Sequence, residues 1–403
     1  MMVVRILVLG FYYPPDISAG AFRCEALVKA LSNQLSTDSE LEVLTTAPNR
    51  FGNRMEGAVN DDVSGDKKVR IHRFDVSSDG RGMVSQARAF ASYAAQVRRL
   101  TRDRHYDLVI ATSSRLMTAV LARWVAMRSG ARLYLDIRDN FVDNLPSIMP
   151  FGVGYPLAAL FSIMERWSLA KADRINLVSG GFEPYFRSRY PEQSFSWYTN
   201  GIDAPFIEAF ETGVFAKEGR RRCGTSLKVV YAGNLGAGQG IEHILPQLAI
   251  LLRERATFLV LGDGAGRENL AHAIRDKGIT NVELRYPVPR EELLVAYQQA
   301  DVLFLHLNTL PSLDTVLPSK LFEYAATGKP ILAGLHGYSA TFANEKIENL
   351  ALFNAGDAKD AVDALYRLKL VHTPREEFVE KWRRDKIMER MASDILKVLK
   401  HGS

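Results

Sequence analysis

What most limits the fold of this chain is a grammar of short β-rich runs alternating with helical segments, which stops and then starts again. The first series comprises Val4 to Leu9, Leu41 to Thr46, Val69 to Phe74, Leu108 to Ala111, Leu133 to Asp136 and Ile175 to Val178. Such alternation predicts a parallel sheet covered by helices on both faces. A polar stretch follows, Glu211 to Ser226, with Lys217, Arg220, Arg221 and Arg222. New strands are then expected at Lys228 to Ala232, Thr257 to Leu261, Val282 to Leu284, Val302 to His306 and Ile331 to Ala333. The polar, Gly-containing stretch is therefore read as the linker between two domains.

The expected fold class is α/β, with two Rossmann-like doubly wound domains over residues 1–210 and 211–375. A length of 403 residues agrees with two cores rather than one. Facing each other, two such sheets would form one deep cleft from the crevices at their strand ends. Toward the C-terminus, Phe378, Trp382, Ile387, Met391, Ile395 and Val398 form a helical stripe. That helix, within 376–403, is expected to pack back on the first domain.

A composition of 47% hydrophobic and 24% charged residues is too apolar for a disordered chain and too charged for an integral membrane bundle. The apolar run Val3 to Leu9 is too short for a signal segment or a membrane span and reads as a first buried strand. Cys24 and Cys223 form neither a disulfide framework nor a Cys-x-x-Cys pattern, which points to a reducing cytoplasm. The net charge of +5 permits anionic partners without choosing among them. Between Arg81 and Arg104, six arginines (Arg81, Arg88, Arg98, Arg99, Arg102, Arg104) stand against Asp103 alone. Met83, Ala87, Phe90, Ala94 and Val97 recur at helical spacing among them. This basic amphipathic helix reads either as a surface helix with a solvated face or as an anchor on an anionic leaflet, with Phe90 and Tyr93 inserting shallowly.

Three segments carry chemistry. The first strand enters a two-proline loop, Tyr13 to Gly20, whose small pair Ala19-Gly20 opens a helix; helix-start N–H groups favour an anion. It is not a Gly-x-Gly-x-x-Gly, which counts against a nicotinamide dehydrogenase. In the second series, Gly233, Gly236, Gly238 and Gly240 crowd the loop after a strand, a cost in chain entropy that suggests close approach to the backbone. Pro318-Ser319-Lys320-Leu321-Phe322-Glu323 then reads as a helix start with a cation in its first turn. The helix dipole opposes that cation unless an anion joins it, and a diphosphate would do so. Glu323, three residues on, offers a carboxylate to a ribose diol, or else simply pairs with Lys320.

In order and spacing these segments resemble the retaining glycosyltransferases of the GT-B fold, family 4, over essentially the whole chain. The resemblance rests on Tyr13 to Gly20, Asp136-Ile137-Arg138-Asp139, Ala172-Asp173 with Val178-Ser179, and Asn200-Gly201-Ile202-Asp203. It rests further on Tyr231 to Gly236, Gly262-Asp263-Gly264 and Pro318 to Tyr324. It implies that the C-terminal lobe binds a nucleotide sugar, most often of UDP, and the N-terminal lobe the acceptor. Lys320, with Ser319 and Leu321, would hold the diphosphate and Glu323 the ribose, while Tyr286 and Val288 would meet the base edge. Asn234, Gln239, Gly240 and Gly262 would line the donor, and Gly20 would approach from the other lobe. Arg138 and Asp139 stand where the family commonly has a His-Asp pair beside the reacting sugar.

The sequence departs from the family in two places. Asn234 and Gln239 replace the usual cations, and Thr315 replaces the first of two glutamates, leaving Asp314 as the available stand-in. The implied reaction keeps the anomeric configuration and needs no metal or cofactor, and no compact His/Cys/Asp cluster is present to hold one. The expected acceptor is a saccharide linked to polyprenyl diphosphate at the inner face of the cytoplasmic membrane, in surface polysaccharide or O-antigen synthesis. No nucleic-acid partner is expected. A non-hydrolysing nucleotide-sugar epimerase and an inactive nucleotide-sugar-binding partner are the competing readings.

Overall fold

The computed structural model describes residues 4–16, 18–48, 69–76, 83–113, 115–148, 154–216 and 226–400. Arg81, Cys223 and the linker cations Lys217, Arg220, Arg221 and Arg222 lie outside the described residues. The chain divides into a first unit, Met1–Asn200 with Asp385–Ser403, and a second, Gly201–Arg384. The division therefore precedes the expected boundary after residue 210. Only residues from Asp385 onward return to the first unit, not those from 376.

The first unit is built on β1 (Arg5–Gly10), β2 (Glu40–Thr46), β3 (Val69–Phe74), β4 (Leu108–Ser113), β5 (Arg132–Ile137), β6 (Arg174–Leu177) and β7 (Phe195–Ser196). They form one sheet in the order β3-β2-β1-β4-β5-β6-β7. Neighbouring strands are parallel, with Ile6 beside Leu41 on one side and Leu108 on the other. Ile6, Leu7, Val8 and Leu9 are all fully buried, as a strand covered on both faces requires. The covering helices are α1 (Ala19–Gln34), α2 (Met83–Leu100), α3 (Leu116–Ser129), α4 (Phe141–Ile148), α5 (Gly154–Leu169) and α6 (Glu183–Arg189). Ser18 caps α1, its Oγ accepting the Ala21 N–H at 3.1 Å.

The structure corrects the reading of α2. Phe90 and Tyr93 are not available for insertion: both are buried, Tyr93 donates to the Leu44 carbonyl at 2.8 Å, and both pack on Phe11. Helical periodicity identified the apolar stripe, but the sheet covers it. Arg104 is spent on an ion pair with Glu42, whereas Arg88, Arg98, Arg99 and Arg102 stay exposed.

The second unit repeats the plan with β8 (Leu227–Asn234), β9 (Ala256–Asp263), β10 (Val282–Arg285), β11 (Val302–His306), β12 (Ile331–Gly334) and β13 (Leu350–Phe353). Their order is β10-β9-β8-β11-β12-β13, again with parallel neighbours. Its helices are α7 (Ala204–Glu211), α8 (Ile241–Leu251), α9 (Arg267–Asp276), α10 (Arg290–Gln298), α11 (Ser319–Ala326), α12 (Gly337–Lys346), α13 (Ala358–Arg367) and α14 (Glu376–Trp382). The last helix, α15 (Arg384–Lys400), carries the chain back to the first unit. The C-terminal stripe is thus two helices: Phe378 and Trp382 pack on the second unit's core, and Ile387, Met391 and Ile395 are buried beyond the break at Arg383. Both sheets reverse their order between the first and fourth strands, β1/β4 and β8/β11. In doubly wound sheets, ligands gather outside the carboxyl ends of strands at that reversal. No helix among the described residues is long and apolar enough to cross a membrane.

Candidate active site

In the second unit the loop after β8 lies at the strand-order reversal, and the end of β11 shapes it. Asn308 Nδ2 donates to the Ala237 carbonyl at 2.9 Å, the Asn308 N–H to Gly238 O at 2.9 Å, and His306 Nδ1 faces Gln239 O at 2.6 Å. A carbonyl accepts only, so Nδ1 carries the proton; Nε2 then accepts the Gly356 N–H at 3.0 Å. His306 is held as one neutral tautomer against the stacked pair Phe304 and Phe353, and burial pushes its pKa below the usual value.

Within a planar trans peptide, C=O and N–H point in opposite directions. Drawing three successive carbonyls toward β11 therefore turns the N–H groups of Gly238, Gln239 and Gly240 the other way. Those of Gln239 and Gly240 bond Gly236 O at 3.0 and 3.1 Å. Gly238 N–H, alone of the three among the described residues, has no acceptor within the chain. This is a backbone cradle of the kind that takes an anion at a helix start. Gly240, at φ +57°, is the residue from which α8 begins. The side chains of Asn234 and Gln239 bond each other at 2.8 Å and bring no charge to the loop.

Helix α11 brings a cation to this edge, Lys320 in its first turn. Pro318 precedes it and Ser319 is its first residue. Lys320 Nζ lies 2.7 Å from Glu323 Oε2 and 3.5 Å from the buried Tyr297 hydroxyl. Burial works against the Lys320 charge, but Glu323, with the nearby Tyr324 and Tyr231, more than offsets it and raises the ammonium's pKa above its ordinary value. The two side chains proposed for phosphate and ribose are therefore one preformed ion pair. Leu321 is fully buried in the core, so its side chain serves packing.

At the ends of β9 and β10, Arg267 donates to Gly262 O at 2.7 Å and Arg285 O at 2.9 Å, and its guanidinium lies 3.8 Å from the Tyr286 ring centroid. Tyr286 is 64% exposed, so Arg267 fixes the ring while leaving surface open to a partner. Val288 packs against the core. A Cβ on Gly262 would lie 2.2 Å from the Gly233 carbonyl oxygen, so strand packing alone requires that glycine. Asp314, the stand-in for the absent glutamate, is engaged by His336 Nδ1 at 2.5 Å, and His336 Nε2 reaches Asn308 O at 2.7 Å.

In the first unit, Gly20 and Arg138 come together: a Cβ on Gly20 would lie 2.3 Å from a terminal nitrogen of Arg138. Burial, opposed chiefly by Asp136, pulls the Arg138 pKa down to about 10, and its Nε has no hydrogen-bond partner. Burial raises the pKa of Asp139, whose Oδ1 accepts from Asn144 Nδ2 at 3.0 Å. Asp136, two residues away, is structural. It binds Arg23 through two 2.8 Å contacts and accepts from Thr112 and Asn176, all of them buried.

His306, Asn308, His336 and Arg267 were not singled out from the sequence. The available signals were a histidine ending an otherwise apolar strand and an arginine directly after the glycines 262–266. Among the described residues, no group of three or more His, Cys, Asp or Glu is placed to hold a metal ion.

Comparison with known proteins shows the family. Residues 21–193 match a family described as glycosyl transferase 4-like domain, and residues 226–369 match glycosyl transferases group 1. WcaI of Escherichia coli K12, provisionally assigned as a colanic acid biosynthesis glycosyl transferase, is 26% identical over 227 residues, 55% of this chain and 56% of WcaI. WbjE of Pseudomonas aeruginosa, provisionally a glycosyltransferase, is 27% identical over 268 residues, 61% of this chain and 62% of WbjE. The matches thus span a little over half the length of these relatives. The Anabaena HepE structure in complex with UDP and glucose superposes with a TM-score of 0.63 at 14% identity, covering 98% of this chain and all of that one. With both sheets of the GT-B fold and a family match in each half, the chain belongs to the GT-B glycosyltransferases of the family 4 type.

Proposed function

We propose that this protein transfers a sugar from a nucleoside diphosphate donor, UDP in the first instance, to a saccharide acceptor with retention of anomeric configuration. The observation that carries this is the Lys320–Glu323 pair at the start of α11, at the same sheet edge as the backbone cradle of Gly238. Lys320 would neutralise charge developing on the departing diphosphate, and Glu323 would accept from the ribose. The acceptor oxygen would bond to the anomeric carbon as its bond to the phosphate oxygen breaks on the same face, the hydroxyl proton passing to the departing phosphate. Asp139 and Arg138 would position the reacting groups. No divalent ion is needed in this scheme.

The HepE complex supports UDP as donor, and the name of WcaI, provisionally a colanic acid biosynthesis glycosyl transferase, supports polysaccharide assembly. The lipid-linked acceptor at the cytoplasmic face is part of the proposal itself. The test is to follow nucleotide sugars by NMR with and without lipid-linked saccharide acceptor, in EDTA. The proposal expects nucleotide release only with acceptor, unaffected by EDTA, and a product of unchanged anomeric configuration. Conversion of donor alone would indicate an epimerase, and binding without turnover an inactive partner. Activity restored only by Mg²⁺ or Mn²⁺ would overturn the metal-free scheme.

A further inference from the structure

Helix α5 is apolar on both faces: Leu157, Phe161, Met164 and Leu169 turn toward the protein, with Phe161 against Phe141, yet the outer face is apolar too. Along Gly154–Leu169, Tyr155, Pro156, Ala159, Leu160, Ile163, Arg166 and Trp167 fall on one face at helical spacing, and that face is the solvent face. Tyr155, Leu160, Ile163 and Trp167 are between 41% and 71% exposed. The helix's one acid, Glu165, points inward instead, accepting from Tyr190 at 2.8 Å and Tyr185 at 3.1 Å. A helix covering only its own sheet would carry mostly polar residues on its outer face.

Two neighbouring helices extend this face. Arg123 of α3 lies 6.0 Å from the Trp167 ring centroid, and Arg98 of α2 and Arg128 of α3 lie 4.8 and 5.3 Å from the ring of Trp124. Met127, in the last turn of α3, is exposed beside Arg128. Together, α2, α3 and α5 carry Arg88, Arg98, Arg99, Arg123, Arg128 and Arg166 and only one acid, the inward Glu165. Tryptophan faces with arginines stacked on them, next to exposed aliphatic side chains, suit a boundary that is apolar on one side and anionic on the other. Nucleic acid would use the arginines but leave Leu160, Ile163 and Met127 without a partner.

We propose that the solvent face of α5, bordered by Met127 and the arginines of α2 and α3, docks this chain onto an anionic lipid surface. The apolar residues enter the headgroup boundary and the arginines meet the lipid phosphates. This deepens the reading of a lipid-linked acceptor, yet docking itself needs neither donor nor acceptor. It also moves the contact from the α2 aromatics, which are buried, to α5.

The experiment is flotation with vesicles of phosphatidylcholine alone, or equimolar with phosphatidylglycerol, at low and high salt, with no sugar or nucleotide present. Wild type should float with the anionic vesicles only, and less so in high salt. The double substitution Leu160→Ser, Ile163→Ser should lower the bound fraction about tenfold at unchanged melting temperature, and Ile163→Trp should raise it. Changing Arg98 and Arg128 to Ser should weaken binding and flatten its salt dependence. Equal flotation of wild type and both α5 variants, or no flotation of wild type, would overturn the proposal. So would a wild-type dimer that Ile163→Ser dissociates, which would make this face a contact between copies. Because the vesicles hold no saccharide, each of these results leaves the donor reading to its own test.

Discussion

The imidazole of His306 donates through Nδ1 to the carbonyl of Gln239, 2.6 Å away, and so ties the end of β11 to the glycine loop after β8. Since Nε2 must stay unprotonated to accept the Gly356 N–H, the loop's shape depends on a neutral ring.

Stability should therefore fall in mild acid. Burial, partly offset by the Gln239 bond, lowers the folded pKa of His306 below the unfolded value of about 6.5. Below that value the unfolded chain binds more protons, so stability drops as pH falls. The contribution is complete above about pH 6.5 and is lost as pH falls through the folded pKa. His306→Asn keeps a donor but cannot titrate. Denaturant unfolding across this range should show a steeper acid loss for wild type than for the variant; parallel curves would contradict the assignment.

Lys320→Ala and Glu323→Ala should each lower turnover by about two orders of magnitude. Because the pair is preformed and largely buried, each should also cost about 1–3 kcal/mol of stability by stranding its partner. The double variant should fall well short of the summed stability losses, since its two sites are in contact. Unfolding curves and initial rates on the three variants check this, and full additivity in stability would argue against a coupled pair.

Two glycines should part company. In Gly20→Ala the new methyl meets the far end of the flexible Arg138 side chain, so the fold should survive while turnover drops about a hundredfold through displacement of the guanidinium. Gly262→Ala meets the Gly233 backbone and should cost about 1–3 kcal/mol of stability. Melting temperatures beside rates on the folded protein separate the cases. A severe stability loss in Gly20→Ala would assign that glycine to packing.

Much of the fold was legible because the evidence for it is local. The strands from Arg5–Gly10 to Ile331–Gly334 fall within two residues of the runs read from sequence. Two were not read: Phe195–Ser196 is only a dipeptide, and Leu350–Phe353 is short with half-buried positions. The nature of the C-terminal stripe was hidden because its period continues across Arg383 while its packing partner changes. Lys320, Glu323 and the glycine loop stood out through their own neighbours in sequence. His306, Asn308 and Arg267 act through backbone carbonyls up to 71 residues away, which no local pattern records. Asp136 sits in the same motif as Arg138 and Asp139, but only its fully buried bonding to Arg23 shows that it supports the fold.

The central claim, that α11 and the glycine loop hold a nucleoside diphosphate, is tested most directly by thermal unfolding with UDP or uridine. A ligand of the native state raises the melting temperature by mass action. UDP should raise it in wild type and uridine much less, and Lys320→Ala should erase most of the UDP effect. No stabilisation by UDP or any other nucleoside diphosphate, or a UDP shift unchanged in Lys320→Ala, would contradict the account.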